Sequence, residues 1–298
     1  KTHGRLIYGA IDIGTNAARL LIGEVTENNG RFYVKKISYT RVPLRLGLEV
    51  FSDGIISDHK RTQFVKTMQA FQLIADVYEV KNMRACATSA MREAENGLQI
   101  KQQILEQTGV NIDIIGGEEE ASIIFSTFLL LAFDKESPFI VIDVGGGSTE
   151  ISVFEEGKRI AGKSLKIGTI RMLKGKVEPT IWGEIDDWIA SSIDINMPHK
   201  VFATGGNINK LHKLLGKVTL EPISYKELDD IYKDLSAKSL EDRIVDYQLK
   251  PDRADVIVPA CEIYEYILRK LDASEMFVPK IGLSDGMIYE MHRNHINS

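Results

Sequence analysis

Two stretches of this chain place the same kinds of chemistry-bearing residue in the same order, about 130 residues apart. The first is Ala10-Ile11-Asp12-Ile13-Gly14-Thr15-Asn16, and the second runs from Val141 through Asp143 and Gly145-Gly146-Gly147-Ser148 to Thr149-Glu150. In each, an apolar run ends in an aspartate, a glycine-bearing turn with a hydroxyl follows, and a second alternating run begins. An aspartate at a strand end can face a metal ion, and glycine lets backbone N–H groups close around phosphate oxygens. Asp12, Asp143 and Glu150 are hard oxygen donors of the kind that hold Mg²⁺, with Mn²⁺ as an alternative. Gly14, Thr15 and Asn16, with Gly145, Gly146, Gly147 and Ser148, are the candidate phosphate donors. One such loop would also suit an ordinary hairpin. Two of them point to duplicated lobes that share a phosphate.

Other residues are ambiguous by type alone. Arg92 follows Thr88-Ser89 near a helix start, where a solvated arginine is the ordinary reading. Arg19, Arg45, Lys166 and Arg171 are weaker candidates for an anion path. Glu118-Glu119-Glu120 occupies a first helical turn, where carboxylates complement the helix dipole. Cys86 and Cys261 imply no disulfide framework and read as buried small side chains. His292 and His295 share a helical face and read as a solvated pair near the chain end. There is no Gly-x-Ser-x-Gly, His-Glu-x-x-His, Cys-x-x-Cys or Walker lysine loop.

The elements that must carry these residues follow from periodicity. Strands are expected over 6–13, 17–26 and 31–42, then a basic loop, Arg41 to Glu49, and a helix over 58–78. A strand over 83–87, a helix over 89–107 ending at Gly109, a short strand over 112–115 and a helix after Gly116-Gly117 complete the first block. The second block repeats the plan, with strands near 139–144, 149–155 and 158–166 and helices near 168–175 and 181–193. A strand over 201–203, a helix over 207–215, a late strand near 276–278 and a last helix from Ser284 follow. The pattern predicts an α/β fold of two lobes, 1–120 and 121–298, each a mixed sheet covered by helices. The helix around 119–131 and the last helix are the candidate crossing segments, the last helix returning to the first lobe.

Bulk properties narrow the partners. The chain has 44% hydrophobic and 27% charged residues and a net charge of −5, which suit a globular protein and argue against a general nucleic-acid or membrane-surface binder. The start lacks a signal-peptide core, and no apolar run is long enough to span a bilayer, so a cytoplasmic setting is expected. A homodimer is compatible with this composition, which locates no interface.

The motif set as a whole resembles the exopolyphosphatase and guanosine pentaphosphate phosphohydrolase (Ppx/GppA) family, within the acetate kinase, sugar kinase, Hsp70 and actin superfamily. Asp12 to Asn16 matches the first phosphate loop, with Thr15 for the usual Ser, and Asp143 to Glu150 matches the second at every fixed position. Thr88 to Arg92 matches Thr-x-x-x-Arg, and Gly116 to Ala121 matches Ser-Gly-x-Glu-Glu-Ala with Gly116 for Ser. Thr204-Gly205-Gly206, Arg253-Ala254-Asp255 and Leu283 to Gly286 complete the set. The resemblance implies two ribonuclease H-like, actin-like ATPase lobes with a cleft between them. It also implies Glu120 as catalytic base, Arg92 as a phosphate clamp and hydrolytic phosphoryl transfer assisted by Mg²⁺. The implied substrate is inorganic polyphosphate, with guanosine pentaphosphate as the alternative. The chain ends without the family's extra C-terminal helical domain, which puts high processivity in doubt. A small-molecule kinase of the wider superfamily, using Ala203 to Asn207 for adenosine, and a non-catalytic nucleotide-binding module are the more distant readings.

Overall fold

A computed structural model describes residues 5–128, 130–131 and 133–298. It divides into two compact units, Lys1–Ala132 with Ile281–Ser298, and Phe133–Lys280. The first unit contains β1 (Leu6–Ile13), β2 (Ala18–Asn28), β3 (Arg31–Val42), α1 (Leu46–Asp53), α2 (Asp58–Val77), β4 (Asn82–Ala87), α3 (Ser89–Glu93), α4 (Gly97–Thr108), β5 (Ile112–Ile114) and α5 (Gly117–Phe128). The second contains β6 (Phe139–Val144), β7 (Thr149–Glu155), β8 (Lys158–Leu165), α6 (Thr169–Leu173), α7 (Ile181–Ser192), β9 (Lys200–Thr204) and α8 (Gly206–Leu214). It continues through β10 (Ile223–Ser224), α9 (Tyr225–Ser236), α10 (Leu240–Tyr247), α11 (Pro251–Ala254), α12 (Ile257–Lys270) and β11 (Glu275–Met276), and α13 (Leu283–Ile296) returns to the first unit.

Both sheets are mixed and share one plan. The order is β3-β2-β1-β4-β5 in the first unit and β8-β7-β6-β9 in the second. In each, an antiparallel three-strand meander is joined in parallel by a strand that arrives after helices, β4 on β1 and β9 on β6. The second hairpin of each meander closes through two residues with positive φ, Asn29-Gly30 and Glu156-Gly157. Such a turn matches the twist of the flanking strands. The apolar faces fill with large side chains: Tyr8, Phe64 and Phe71 are fully buried in the first unit, and Phe139, Phe154 and Phe202 cluster in the second. The last helix joins the first unit because Gly286 leaves no room for a side chain; a Cβ there would lie 2.1 Å from the Ile123 carbonyl oxygen of α5. α5 is therefore packed within the first unit, whereas the sequence reading divides the chain at 120/121.

Three local expectations are corrected. The loop expected over Arg41 to Glu49 contains the start of α1, because Leu46, Val50 and Phe51 recur on one buried face. The single helix expected over 89–107 is two, α3 and α4. Ala94 is extended (φ −66°, ψ 127°), and the chain doubles back until Gly97 sits where a Cβ would be 2.4 Å from the Met91 carbonyl oxygen. His292 is buried, its Nδ1 3.0 Å from the Tyr8 hydroxyl, and burial pushes the imidazole below its ordinary value. Both cysteines are buried, and burial pushes the Cys86 thiol up to about 12. Among the described residues, no helix is long and apolar enough to cross a membrane.

Candidate active site

Each unit offers a turn at the carboxyl end of its central strand, and the two turns are built alike. Gly14 N–H donates to the Ala17 carbonyl at 2.9 Å, and Gly145 N–H donates to the Ser148 carbonyl at 3.0 Å. In the first unit the carbonyls of Thr15 and Asn16 accept from Gly47 and Arg45 N–H at 3.0 Å each, so the start of α1 holds them. In the second, the Gly145 and Gly146 carbonyls accept from Thr169 and Ile170 N–H at 3.0 and 2.9 Å, so the start of α6 holds them. Arg45 Nε binds Asn16 Oδ1 at 2.9 Å, and the buried Arg171 binds the Gly147 carbonyl through Nε at 2.6 Å.

With these carbonyls consumed, each turn keeps N–H groups that have no backbone acceptor. The N–H groups of Thr15, Gly146 and Gly147 donate to no backbone carbonyl among the described residues. An anion supplies the missing acceptor without bending the chain. None of the turn glycines needs a positive φ. Close approach explains them better: a Cβ on Gly168 would stand 2.4 Å from the Gly146 carbonyl carbon and 2.5 Å from Gly147 N, so the supporting segment is in direct contact with the turn. The Ser148 hydroxyl donates to Glu150 Oε1 at 2.9 Å. A hydroxyl has one proton to give, so in this arrangement the Ser148 hydroxyl has none left for an anion.

Sheet register then decides which side chains stand beside each turn. Directly paired residues share a face. Across β3-β2-β1-β4 the row reads Arg41, Arg19, Asp12, Cys86, and across β8-β7-β6-β9 it reads Ser164, Glu150, Asp143, Thr204. The first row is cationic at its outer end. Arg19 and Asp12 form an ion pair at 3.0 Å; burial pushes the Asp12 carboxyl above its ordinary value, and Arg19 pulls it only part of the way back. The second row is acidic at its centre. Thr204 Oγ1 donates to Asp143 Oδ1 at 2.7 Å, and Ser164 Oγ donates to Glu150 Oε1 at 2.8 Å. Two carboxylates on one sheet face, each oriented through one oxygen by a hydroxyl, make a hard donor set that fits a divalent cation. Thr204 is itself located by Tyr264, whose buried hydroxyl donates to its carbonyl at 2.6 Å.

In the first unit, Arg92 meets the turn from which the helix carrying Glu120 starts. Arg92 donates to the Ile115 carbonyl at 2.5 Å and to Ser89 Oγ at 3.3 Å, and Glu120 N–H bonds the next carbonyl, that of Gly116, at 3.0 Å. The guanidinium thus braces the turn from which α5 starts. Ile115 N–H bonds the Ala87 carbonyl at the end of β4 at 2.9 Å, and the next residue, Thr88, donates its N–H to the Ile13 carbonyl beside the first turn at 3.2 Å. Glu119 pairs with Arg84 at 3.2 Å, and Arg84 also meets Asp113 and Glu290. Arg41, Ser164 and the Thr204 hydroxyl are the members of these rows that pattern reading overlooks. Arg41 and Ser164 are visible in sequence only as polar residues near strand ends, and Thr204 only as part of the Thr204-Gly205-Gly206 motif, with no role for its hydroxyl.

The family model described as the Ppx/GppA phosphatase family matches residues 24–181. A bifunctional 3-dehydroquinate synthase/phosphatase of Fusobacterium nucleatum is 31% identical over 177 residues, covering 58% of this chain and only 26% of that longer protein. Exopolyphosphatase 1 of Mycobacterium tuberculosis is 23% identical over 94% of this chain and 86% of its own length. The crystal structure of an exopolyphosphatase from Cytophaga hutchinsonii superposes with a TM-score of 0.81 at 22% identity, covering 96% of this chain and 97% of that one.

Proposed function

The chain belongs to the Ppx/GppA phosphatase family, and from that premise we propose that it is an exopolyphosphatase releasing orthophosphate from the end of inorganic polyphosphate. The observation that carries this reading is the repeated turn, with its carbonyls consumed and its amides left without a backbone acceptor, beside an acidic pair in one unit and an arginine row in the other. Amides and arginines suit a polyanion, and the hydroxyl-held carboxylates suit the cation that accompanies it.

In the proposed reaction, Gly14, Thr15 and Asn16, with Gly145, Gly146, Gly147 and the Ser148 backbone, hold the oxygens of the terminal phosphate. Arg92 clamps it while bracing the start of α5. Glu120 orients a water and takes its proton as the water oxygen bonds to the terminal phosphorus. The bridging P–O bond breaks, and the shortened chain leaves with its electron pair. Asp143 and Glu150 would hold Mg²⁺, which supplies positive charge for the phosphoryl oxygens when bound. Asp12 serves the same centre indirectly by holding Arg19. No covalent intermediate is needed, because positioning and charge stabilisation account for most catalysis of this type.

The test is orthophosphate release measured side by side on long polyphosphate, tripolyphosphate, guanosine pentaphosphate and ATP. Release from both polyphosphates at rates above those on the two nucleotides supports the assignment. A preference for guanosine pentaphosphate would move the chain to the other activity of the family, and ATP consumption only with an added acceptor would make it a kinase.

A further inference from the structure

Tyr264, in the middle of α12, is fully buried in the apolar core of the second unit, yet its hydroxyl ends beside the acidic row. The hydroxyl gives its single proton to the Thr204 carbonyl at 2.6 Å, and the Val144 N–H bonds the same oxygen. Burial and then the charge of Asp143 push this phenol well above its ordinary value, so the proton stays in place at neutral pH. The two backbone partners have a particular place in the sheet. Asp143 opposite Thr204 is the last pair of the β6–β9 ladder, and Val144 is the residue after Asp143. Past that pair the ladder ends, and the Tyr264 hydroxyl bridges the two strand ends instead. Gly205 leaves room for the bridge. Its φ is +128°, and a Cβ there would lie 2.9 Å from the Val144 carbonyl oxygen and 3.3 Å from the Tyr264 hydroxyl.

Any buried tyrosine hydroxyl needs partners, so these bonds alone would be ordinary packing. Their consequence lies one residue further on. Threonine is stiff at χ1, so a fixed Thr204 backbone fixes the direction of its Oγ1, which donates to Asp143 Oδ1 at 2.7 Å. Thr204 is fully buried, which leaves no water to take over from Tyr264 at its carbonyl.

We propose that Tyr264 is a positioning residue for the cation site, setting the orientation of the Asp143 carboxylate through Thr204. This rests on the reading above, in which Asp143 and Glu150 hold a divalent cation, and deepens it by naming what holds Asp143 in place from the core. Loss of such an outer partner of a metal ligand typically costs about ten- to a hundredfold in metal affinity.

The experiment is a double-mutant cycle on the full chain, read as Mn²⁺ affinity by magnetic resonance in the absence of substrate. Y264F removes one oxygen and keeps the ring, and T204V removes the Thr204 hydroxyl and keeps its shape. Each should weaken Mn²⁺ binding by about tenfold. The two together should be no weaker than T204V alone, because a single path carries both effects. Unchanged affinity in Y264F, or losses that multiply to about a hundredfold in the double variant, would overturn the proposal. Y8F controls for destabilisation in general, since Tyr8 is also fully buried and bonded through its hydroxyl, to His292 in the first unit. It should lower the melting temperature and keep Mn²⁺ affinity; a loss equal to that of Y264F would overturn the role. Should Y264F fail to fold, G205A tests the same bridge by crowding Val144 and Tyr264. Weaker Mn²⁺ binding in G205A supports the role, and unchanged binding overturns it. An unaltered protein that binds no Mn²⁺ would overturn the cation site and this role with it. Failure of the exopolyphosphatase reading alone has a separate signature: no orthophosphate from polyphosphate, while Mn²⁺ affinity still depends on Tyr264.

Discussion

Glu120 and Arg92 show how far a residue's type falls short of its role. A glutamate in the first turn of a helix needs no explanation beyond the dipole, and Glu118-Glu119-Glu120 offers three. The fold separates them by partner: Glu119 is bound to Arg84, while Glu120 follows directly from the turn that Arg92 braces. Glu120→Gln is expected to keep KM and to lower kcat by roughly two to four orders of magnitude, the usual span for a general base. A near-normal kcat would return Glu120 to dipole duty. Arg92→Ala is expected to raise KM and lower kcat together, because it removes the proposed phosphate contact and the brace on Ile115 at once. Arg92→Lys should recover little, since an ammonium cannot span Ser89 and Ile115 as the planar fork does. Unchanged constants in both variants would place Arg92 outside the site.

At the scale of elements, the strands of the two β-hairpins were legible from sequence in extent, but not in register. Counting back from Asn29-Gly30 sets Arg19 opposite Thr40, and counting back from Glu156-Gly157 sets Glu150 opposite Lys163. A register irregularity in each hairpin, at Ile22/Gly23 and at Val153/Phe154, moves the pairing by one residue, to Arg41 and to Ser164. A slip of one residue exchanges the faces of a strand, so the polar neighbours of both site rows depend on these bulges. A second element-level feature makes a prediction about stability. Glu265 on α12 is buried and hydrogen-bonded to Asp229 on α9, and burial first, then that second carboxylate, pushes it up to about 7. The folded state therefore holds a proton that the unfolded chain releases at the ordinary glutamate value. That contribution is complete below the ordinary value and is lost as pH rises through about 7. Denaturant unfolding should show the natural chain losing stability from pH 5 to 8 relative to Glu265→Gln, which stays neutral throughout. Parallel pH profiles for the two would refute the shared proton.

For the molecule as a whole, two units repeat one topology while their central rows carry opposite charge. Arg41, Arg19 and Asp12 stand where Ser164, Glu150 and Asp143 stand in the other sheet. The shared scaffold thus carries arginines on one central row and carboxylates on the other, which suits the first to the proposed anion and the second to the proposed cation. Removal of divalent cations by chelation should therefore abolish orthophosphate release, with Mg²⁺ restoring it and Mn²⁺ as the comparison. Mn²⁺ binding followed by its magnetic resonance should be lost in Asp143→Asn and survive in Asp12→Asn. Equal loss in both would give Asp12 a direct place on the ion.

The sequence alone determined most of the elements and their duplication, though not α1 or the break between α3 and α4, because strand alternation, helical spacing and glycine-bearing turns are local properties of a chain. It also marked Asp12, Asp143, Glu150 and the two turns, since an aspartate closing an apolar strand before glycine is visible without coordinates. Tertiary structure decided the rest. Which carbonyls of each turn are consumed depends on segments about 25 to 30 residues downstream, Arg45 to Gly47 and Thr169 to Arg171. Which side chains flank the carboxylates depends on bulges that no periodicity announces. Long-range hydrogen bonds and register are set by packing between distant segments, and that information is distributed along the chain rather than written at any one position.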